Sequence, residues 1–217
     1  NANAGAITGG KSASGEATGN SVTVGNGTVS GNIVGGDGTT TNKNIVSLAQ
    51  ANVTGSITGG SGTTANENTV NIDRTNVAGT ITGGAADGTG NTLNVAGTNT
   101  AANIVGFQKV AFKDAASKLK LKDTGTFNLD TLATNFEATA NPVTLVESRN
   151  ALKLAGGKAF KSELNADGTQ ETDLDVRGGK KIVRYAYTFA GAKAATTVGT
   201  DTWGGRSVAG NTTTGNS

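Results

Sequence analysis

The stretch "ELNADGTQETDL", residues 163–174, sets oxygen-bearing side chains on alternate positions around a glycine, much as a calcium-binding loop gathers its ligands. Its twelfth position is Leu174, where such a loop needs a bidentate Glu, so the expected structure is a hairpin turn at Ala166–Asp167–Gly168. A second calcium pattern opens in "GGDGTTTN" (35–42) and again in "GGSGTTAN" (59–66). Thr40 and Thr64 stand where a calcium-wrapping repeat requires Asp, so the ligand oxygen is missing. The other chemistry open to carboxylates is glycoside cleavage by a facing pair. Glu16, Asp37, Glu67, Asp73 and Asp87 never recur at one position of the pattern described below, and they read as solvated charges. The chain has no His and no Cys, which excludes Ser–His and Cys–His nucleophiles, thiolate metal sites and disulfides. The expectation is no catalytic residue, no metal and no cofactor.

Two stretches could bind instead of react. Lys118, Lys120 and Lys122 alternate with Leu119 and Leu121, which puts three ammonium groups on one face of a strand. Such a face is either a solvated guard against edge-to-edge association or a surface for an anionic glycan, a nucleic acid or a membrane, and of these partners nucleic acid is not expected. Tyr185 and Tyr187 alternate in "RYAYTF", as a sugar-stacking face or as packing for a cap.

Whatever positions these residues must work with little apolar material. Only 35% of the 217 residues are hydrophobic, and 34 are Gly. Composition alone suggests disorder, but the spacing argues otherwise. "GAITGG", "GNIVGG", "GSITGG" and "GTITGG" recur, and Ile7, Ile33, Ile57, Ile81 and Ile104 are separated by 26, 24, 24 and 23 residues. The pairs Val22/Val24, Val46/Leu48, Val70/Ile72 and Leu93/Val95 keep step, each starting 11 residues before the next Ile. Val29, Val53 and Val77 follow at a fixed offset, and Asn20, Asn44, Asn68 and Asn91 precede the pairs by two. A period in the twenties marks a solenoid whose repeats bury their apolar faces on one another. The spacing of two within each repeat is a strand's period, not a helix's. One repeat therefore reads as one coil of an all-β, right-handed parallel β-helix of about 24 residues per coil, with like residues stacked about 4.8 Å apart. The Gly pair is expected to turn a corner, through positive φ or close backbone approach. Length variation should fall in the polar segment after it.

The pattern fades after Ile104, where the Gly pair becomes Gly106–Phe107. All nine aromatic residues lie at or beyond Phe107, and residues 107–217 hold fifteen Lys/Arg against eleven Asp/Glu, where 1–106 hold three against five. The expected organisation is regular coils over 1–112, irregular and wider coils closing in a cap over 113–195, and a polar tail over 196–217. No apolar run approaches the roughly 20 residues that would span a bilayer.

The pattern V-x-G-x-I-x-G-G, a variable polar segment, then N-x-V-x-V resembles the repeats of Gram-negative autotransporter passenger regions. Here it stands as "VSGNIVGG…NIVSL", "VTGSITGG…NTVNI" and "VAGTITGG…NTLNV". The bulky aromatic that such repeats often carry after the Gly pair is absent, and residues 1–217 include no segment that reads as an outer-membrane barrel. The resemblance implies a secreted or cell-surface β-helix, an adhesin or biofilm-matrix component that meets a glycan or a cell-surface ligand. The expected function is extracellular structure or adhesion without catalysis.

Two alternatives remain. "GRSVAGNTTTGNS" (205–217), with Val208, echoes the repeat without a coil around it. It could complete the first coil of another copy and build a head-to-tail filament; the competing reading is a truncated chain with a disordered tail. Because parallel β-helices include polysaccharide lyases and glycosidases, a polysaccharide-binding or polysaccharide-degrading role is the other alternative.

Overall fold

The computed structural model describes residues 2–122 continuously and, beyond them, 126–127, 131–135, 143–148, 153–154, 161–162, 176–177, 180–181, 185–189 and 208–209. Each regular coil passes through three parallel sheets. The first sheet stacks Ser21–Gly25, Ile45–Ala49, Thr69–Asp73, Thr92–Ala96, Lys109–Phe112 and Leu132–Thr134. The second begins at Ala2–Ala4 and runs through Gly27–Val29, Asn52–Val53, Asn76–Val77, Thr98–Ala101 and Lys118–Leu121 to Val143–Ser148. The third stacks Ile7–Lys11, Ile33–Asp37, Ile57–Gly60, Thr80–Thr82 and Asn103–Val105. The chain is an all-β parallel solenoid.

Register is set by the apolar positions, because a one-residue slip would turn each buried set outward. Ile7 pairs with Ile33, Ile33 with Ile57, Ile57 with Ile81 and Ile81 with Ile104. They form the single column that the spacing predicts. Val22, Val46, Val70, Leu93 and Val110 make a second column, and Val24, Leu48, Ile72, Val95 and Phe112 a third. Ile33, Ile57 and Ile81 are fully buried, while Ile7, at the edge of the stack, is only half-buried.

The Gly pair turns no corner, but the close backbone approach expected of it is there. Its members lie within or beside strands of the third sheet, and none has positive φ. Close approach is the whole reason for them. A Cβ on Gly59 would sit 2.6 Å from the Gly83 carbonyl oxygen of the next coil. One on Gly60 would meet the Asn68 side-chain nitrogen at 2.7 Å, and the same relation holds for Gly36 with Asn44 and Gly84 with Asn91. Glycine clears the space into which the asparagine side chains fold.

Those asparagines form a continuous ladder. Asn20 donates its backbone N–H and its Nδ2–H to Asn44 Oδ1, both at 2.9 Å. Asn44 donates in the same way to Asn68 (3.0 and 3.1 Å), and Asn68 to Asn91 (3.0 and 3.1 Å). Asn44, Asn68 and Asn91 are completely buried, so the bonds among these three are made where water cannot replace them, while those of the half-buried Asn20 lie at the edge.

Positive φ falls instead at two other corners. One column is Gly19, Lys43, Glu67 and Gly90, each just before a ladder asparagine. The other is Asn26, Gln50, Arg74 and Gly97, between the first and second sheets. The polar segment after the Gly pair absorbs length as expected: 11–16 before Ala17, 37–40 before Thr41, 61–64 before Ala65 and 85–87 before Gly88. It also stacks, since Glu16, Thr40 and Thr64 bridge in parallel, and Ala17, Thr41 and Ala65 are buried.

After Ile104 the coil first narrows and only then widens. Leu93 pairs with Val110, Asn99 with Leu119 and Leu119 with Val146. The narrowing has a local cause: Phe107, packed against the core, replaces the second glycine, and Gly106 turns the chain with φ 71°. Gln108 then ends the ladder, its Oε1 accepting from the Asn91 backbone N–H at 2.9 Å. At the far side of the second sheet, Tyr185–Phe189 pairs antiparallel with Val143–Ser148. Val208–Ala209 pairs antiparallel with Lys161–Ser162 of the same chain. Among the described residues, no helix is long and apolar enough to cross a membrane.

Candidate functional site

On the first sheet the inward columns leave two outward ones. Thr23, Ser47, Asn71, Asn94 and Ala111 follow one another in the first. The second contains Ala49, Asp73 and Ala96, and the backbone bonds Lys113 N–H to Val95 carbonyl (3.0 Å) and Asn135 N–H to Phe112 carbonyl (2.9 Å) carry it onward to Lys113 and Asn135. Where most neighbours are amides or charged groups, Ala96 and Ala111 are small. A depression of about 240 Å³ lies beside them, rimmed by Asn71, Asp73, Asn94, Ala96, Lys113 and Asn135, with the buried Leu48, Ile72, Val95 and Ala111 contributing an apolar floor.

The polar groups around it are held in place. Asn94 donates through Nδ2 to Asn71 Oδ1 at 2.8 Å, and Asn71 donates through Nδ2 to Ser47 Oγ at 2.9 Å. This outer amide ladder is a shorter counterpart of the buried one. Asp73 is oriented by Arg74, whose Nε and NH2 donate to its two oxygens at 2.9 and 3.3 Å. The hydrogen bond to Asp73, and then its charge, hold the Arg74 guanidinium above its ordinary pKa. Lys113 makes no ion pair among the described residues. A carboxylate offers about four lone-pair positions and Arg74 occupies two, so Asp73 keeps acceptor capacity toward the depression.

The residues singled out from the sequence lie elsewhere. Lys118 and Lys120 are half-buried on the strand Lys118–Leu121, beside Thr98 and Thr100 in the preceding coil. Lys120 also pairs in register with Glu147 in the following coil. Lys122 is exposed just past the strand. Tyr185 and Tyr187 lie on the antiparallel strand at the end of the second sheet, and Val208 on the short strand beside Lys161–Ser162. The calcium-like stretch at 163–174 falls outside the described residues. Among the described residues, no three His, Cys, Asp or Glu side chains gather as metal ligands.

The depression escaped notice because its signal is a missing volume. The clue was there in Asn71 and Asn94, each one residue after the first member of an apolar pair, with Ala96 two further on. Gln108 was overlooked because it sits where the repeat breaks. No family model, no curated protein and no solved structure matches this chain.

Proposed function

We propose that this chain is an extracellular structural and adhesive solenoid of the autotransporter-passenger type that works without catalysis. The observation supporting this most directly is the buried amide ladder from Asn20 through Asn68 to Gln108, running alongside the isoleucine column. Together they tie successive coils along one axis with satisfied polar bonds as well as apolar contact. The product is a stiff rod whose inside is spent on stability and whose outer faces are free to vary. That division of labour suits a surface molecule that holds a binding face away from its anchor. The passenger repeat pattern supports the extracellular placement.

The test is adhesion by the purified chain. Beads coated with it should be retained on epithelial monolayers or on films of bacterial exopolysaccharide, well above beads coated with albumin. Reducing ends should not accumulate when the chain is incubated with acidic and neutral polysaccharides. Retention equal to albumin on every surface would overturn the adhesive reading, and steady release of reducing ends would replace it with an enzyme.

A further inference from the structure

We infer that the depression on the outer face of the first sheet is a binding subsite for one neutral, hydroxyl-rich sugar ring. The inference deepens the adhesive reading and rests on it for its purpose. The chemistry of the groups present favours a saccharide. Asn71, Asn94 and Asn135 each carry donors and an acceptor in one planar group, which matches a hydroxyl's single donor and two lone pairs. With one of its donors committed to Asn71, Asn94 keeps its Oδ1 and a second N–H for a ligand. Asp73, fixed by Arg74, supplies a charged acceptor, and Lys113 a charged donor. Hydrogen bonds to ionised groups are the stronger kind, so these two would anchor the ring's ends.

Spacing and size agree. Asp73 and Lys113 are separated by one intervening coil, which places them about 10 Å apart along the axis at ~4.8 Å per coil. Between them the half-exposed Ala96 offers its methyl group to the apolar face of a ring. The cavity of about 240 Å³ falls below the roughly 300–1,000 Å³ of sites for drug-sized ligands, so the occupant is one ring of a longer glycan. The charges argue against other occupants. Asp73 is already paired with Arg74 and Lys113 adds a single ammonium, whereas a phosphate site gathers several cations and a hard-metal site gathers oxygens.

The experiment is a titration of the isotope-labelled chain, followed by amide NMR, with methyl α-glucopyranoside, methyl β-galactopyranoside and N-acetylglucosamine. Inorganic phosphate serves as the anionic comparison. At least one sugar should saturate with a millimolar dissociation constant, moving the side-chain amides of Asn71 and Asn94 and the backbone amides around Ala96 and Lys113. Ala96→Leu, which fills the depression, and Asn94→Ala, which removes its amide, should each weaken binding at least about tenfold, a difference of about 1.4 kcal/mol. Far-UV circular dichroism verifies that both variants fold. The inference falls if no sugar saturates, if phosphate moves the same amides more strongly, or if a folded Ala96→Leu variant binds like the parent. Beads that fail to adhere while a sugar saturates would overturn only the adhesive reading. Adhesion with no saturable sugar would overturn the subsite and leave that reading standing.

Discussion

Asn68 Oδ1 accepts both the backbone N–H of Asn44, at 3.0 Å, and its Nδ2–H, at 3.1 Å, one full coil away in the chain. Asn68 then makes the same pair of bonds to Asn91. Each ladder residue thus closes two hydrogen bonds that a strand alone could not make, in a place that water does not reach.

Asn68→Ala should therefore cost far more than one average hydrogen bond. It leaves two donors of Asn44 without an acceptor, and a buried unsatisfied group costs about 1–3 kcal/mol. Asn68→Asp keeps the acceptor but loses the Nδ2–H donor to Asn91 and aims a carboxylate at the Asn91 oxygen. Urea denaturation should show a marked loss for both. A cost under about 1 kcal/mol for Asn68→Ala would mean that the ladder adds little.

Gly59→Ala and Gly25→Ala should behave oppositely. A Cβ at Gly59 runs into the Gly83 carbonyl oxygen, which is backbone and cannot step aside, whereas one at Gly25 meets nothing within 4 Å. Overpacking of this kind costs about 1–3 kcal/mol. Gly25→Ala, relieved of glycine's extra freedom in the unfolded chain, should gain about 0.4–1 kcal/mol. Equal effects in a denaturant titration would contradict the close-approach explanation of the glycine pair.

The coil period, the three apolar columns and the placement of length variation were legible in the sequence because each depends on identity at a fixed offset. Ile33, Ile57 and Ile81 can be aligned by eye, and parallel in-register stacking follows from that alone. The asparagine column was visible too, but the link between it and the glycines was not. Asn68 and Gly60 are eight residues apart, and only the folded coil brings an amide against the space a Cβ would fill. The positive-φ corners were hidden for another reason. Lys43, Glu67, Gln50 and Arg74 are not residues that announce a left-handed backbone. The outer depression depends on register between Ala96 and its neighbours, so it appeared only once the sheets were built.

Those corners give a third prediction. Gln50 has φ 54° and Gly97, in the same corner column, φ 63°. The left-handed region costs a residue with a Cβ about 1–2 kcal/mol, and glycine gives back about 0.4–1 kcal/mol through the unfolded chain. Gln50→Gly should stabilise by the difference, and Gly97→Ala should destabilise by a similar amount. Thermal midpoints that move the same way for both would count against the corner assignment.

Position in the stack should set the cost of losing an isoleucine. Ile57 is fully buried, with Ile33 on one side and Ile81 on the other. Ile57→Ala removes contacts to both coils and leaves a cavity, which in buried sites costs about 2–5 kcal/mol. Ile7 is half-buried and pairs, among the described residues, with Ile33 alone, so Ile7→Ala should cost clearly less. Solenoid stability is a sum of coil and interface contributions. The Ile57 variant breaks two interfaces in mid-stack, and its hydrogen-exchange protection should fall in the coils on both sides. The Ile7 variant should lose protection only in the first coil. Protection lost uniformly along the stack in the Ile7 variant would show that the coils do not behave as nearest neighbours.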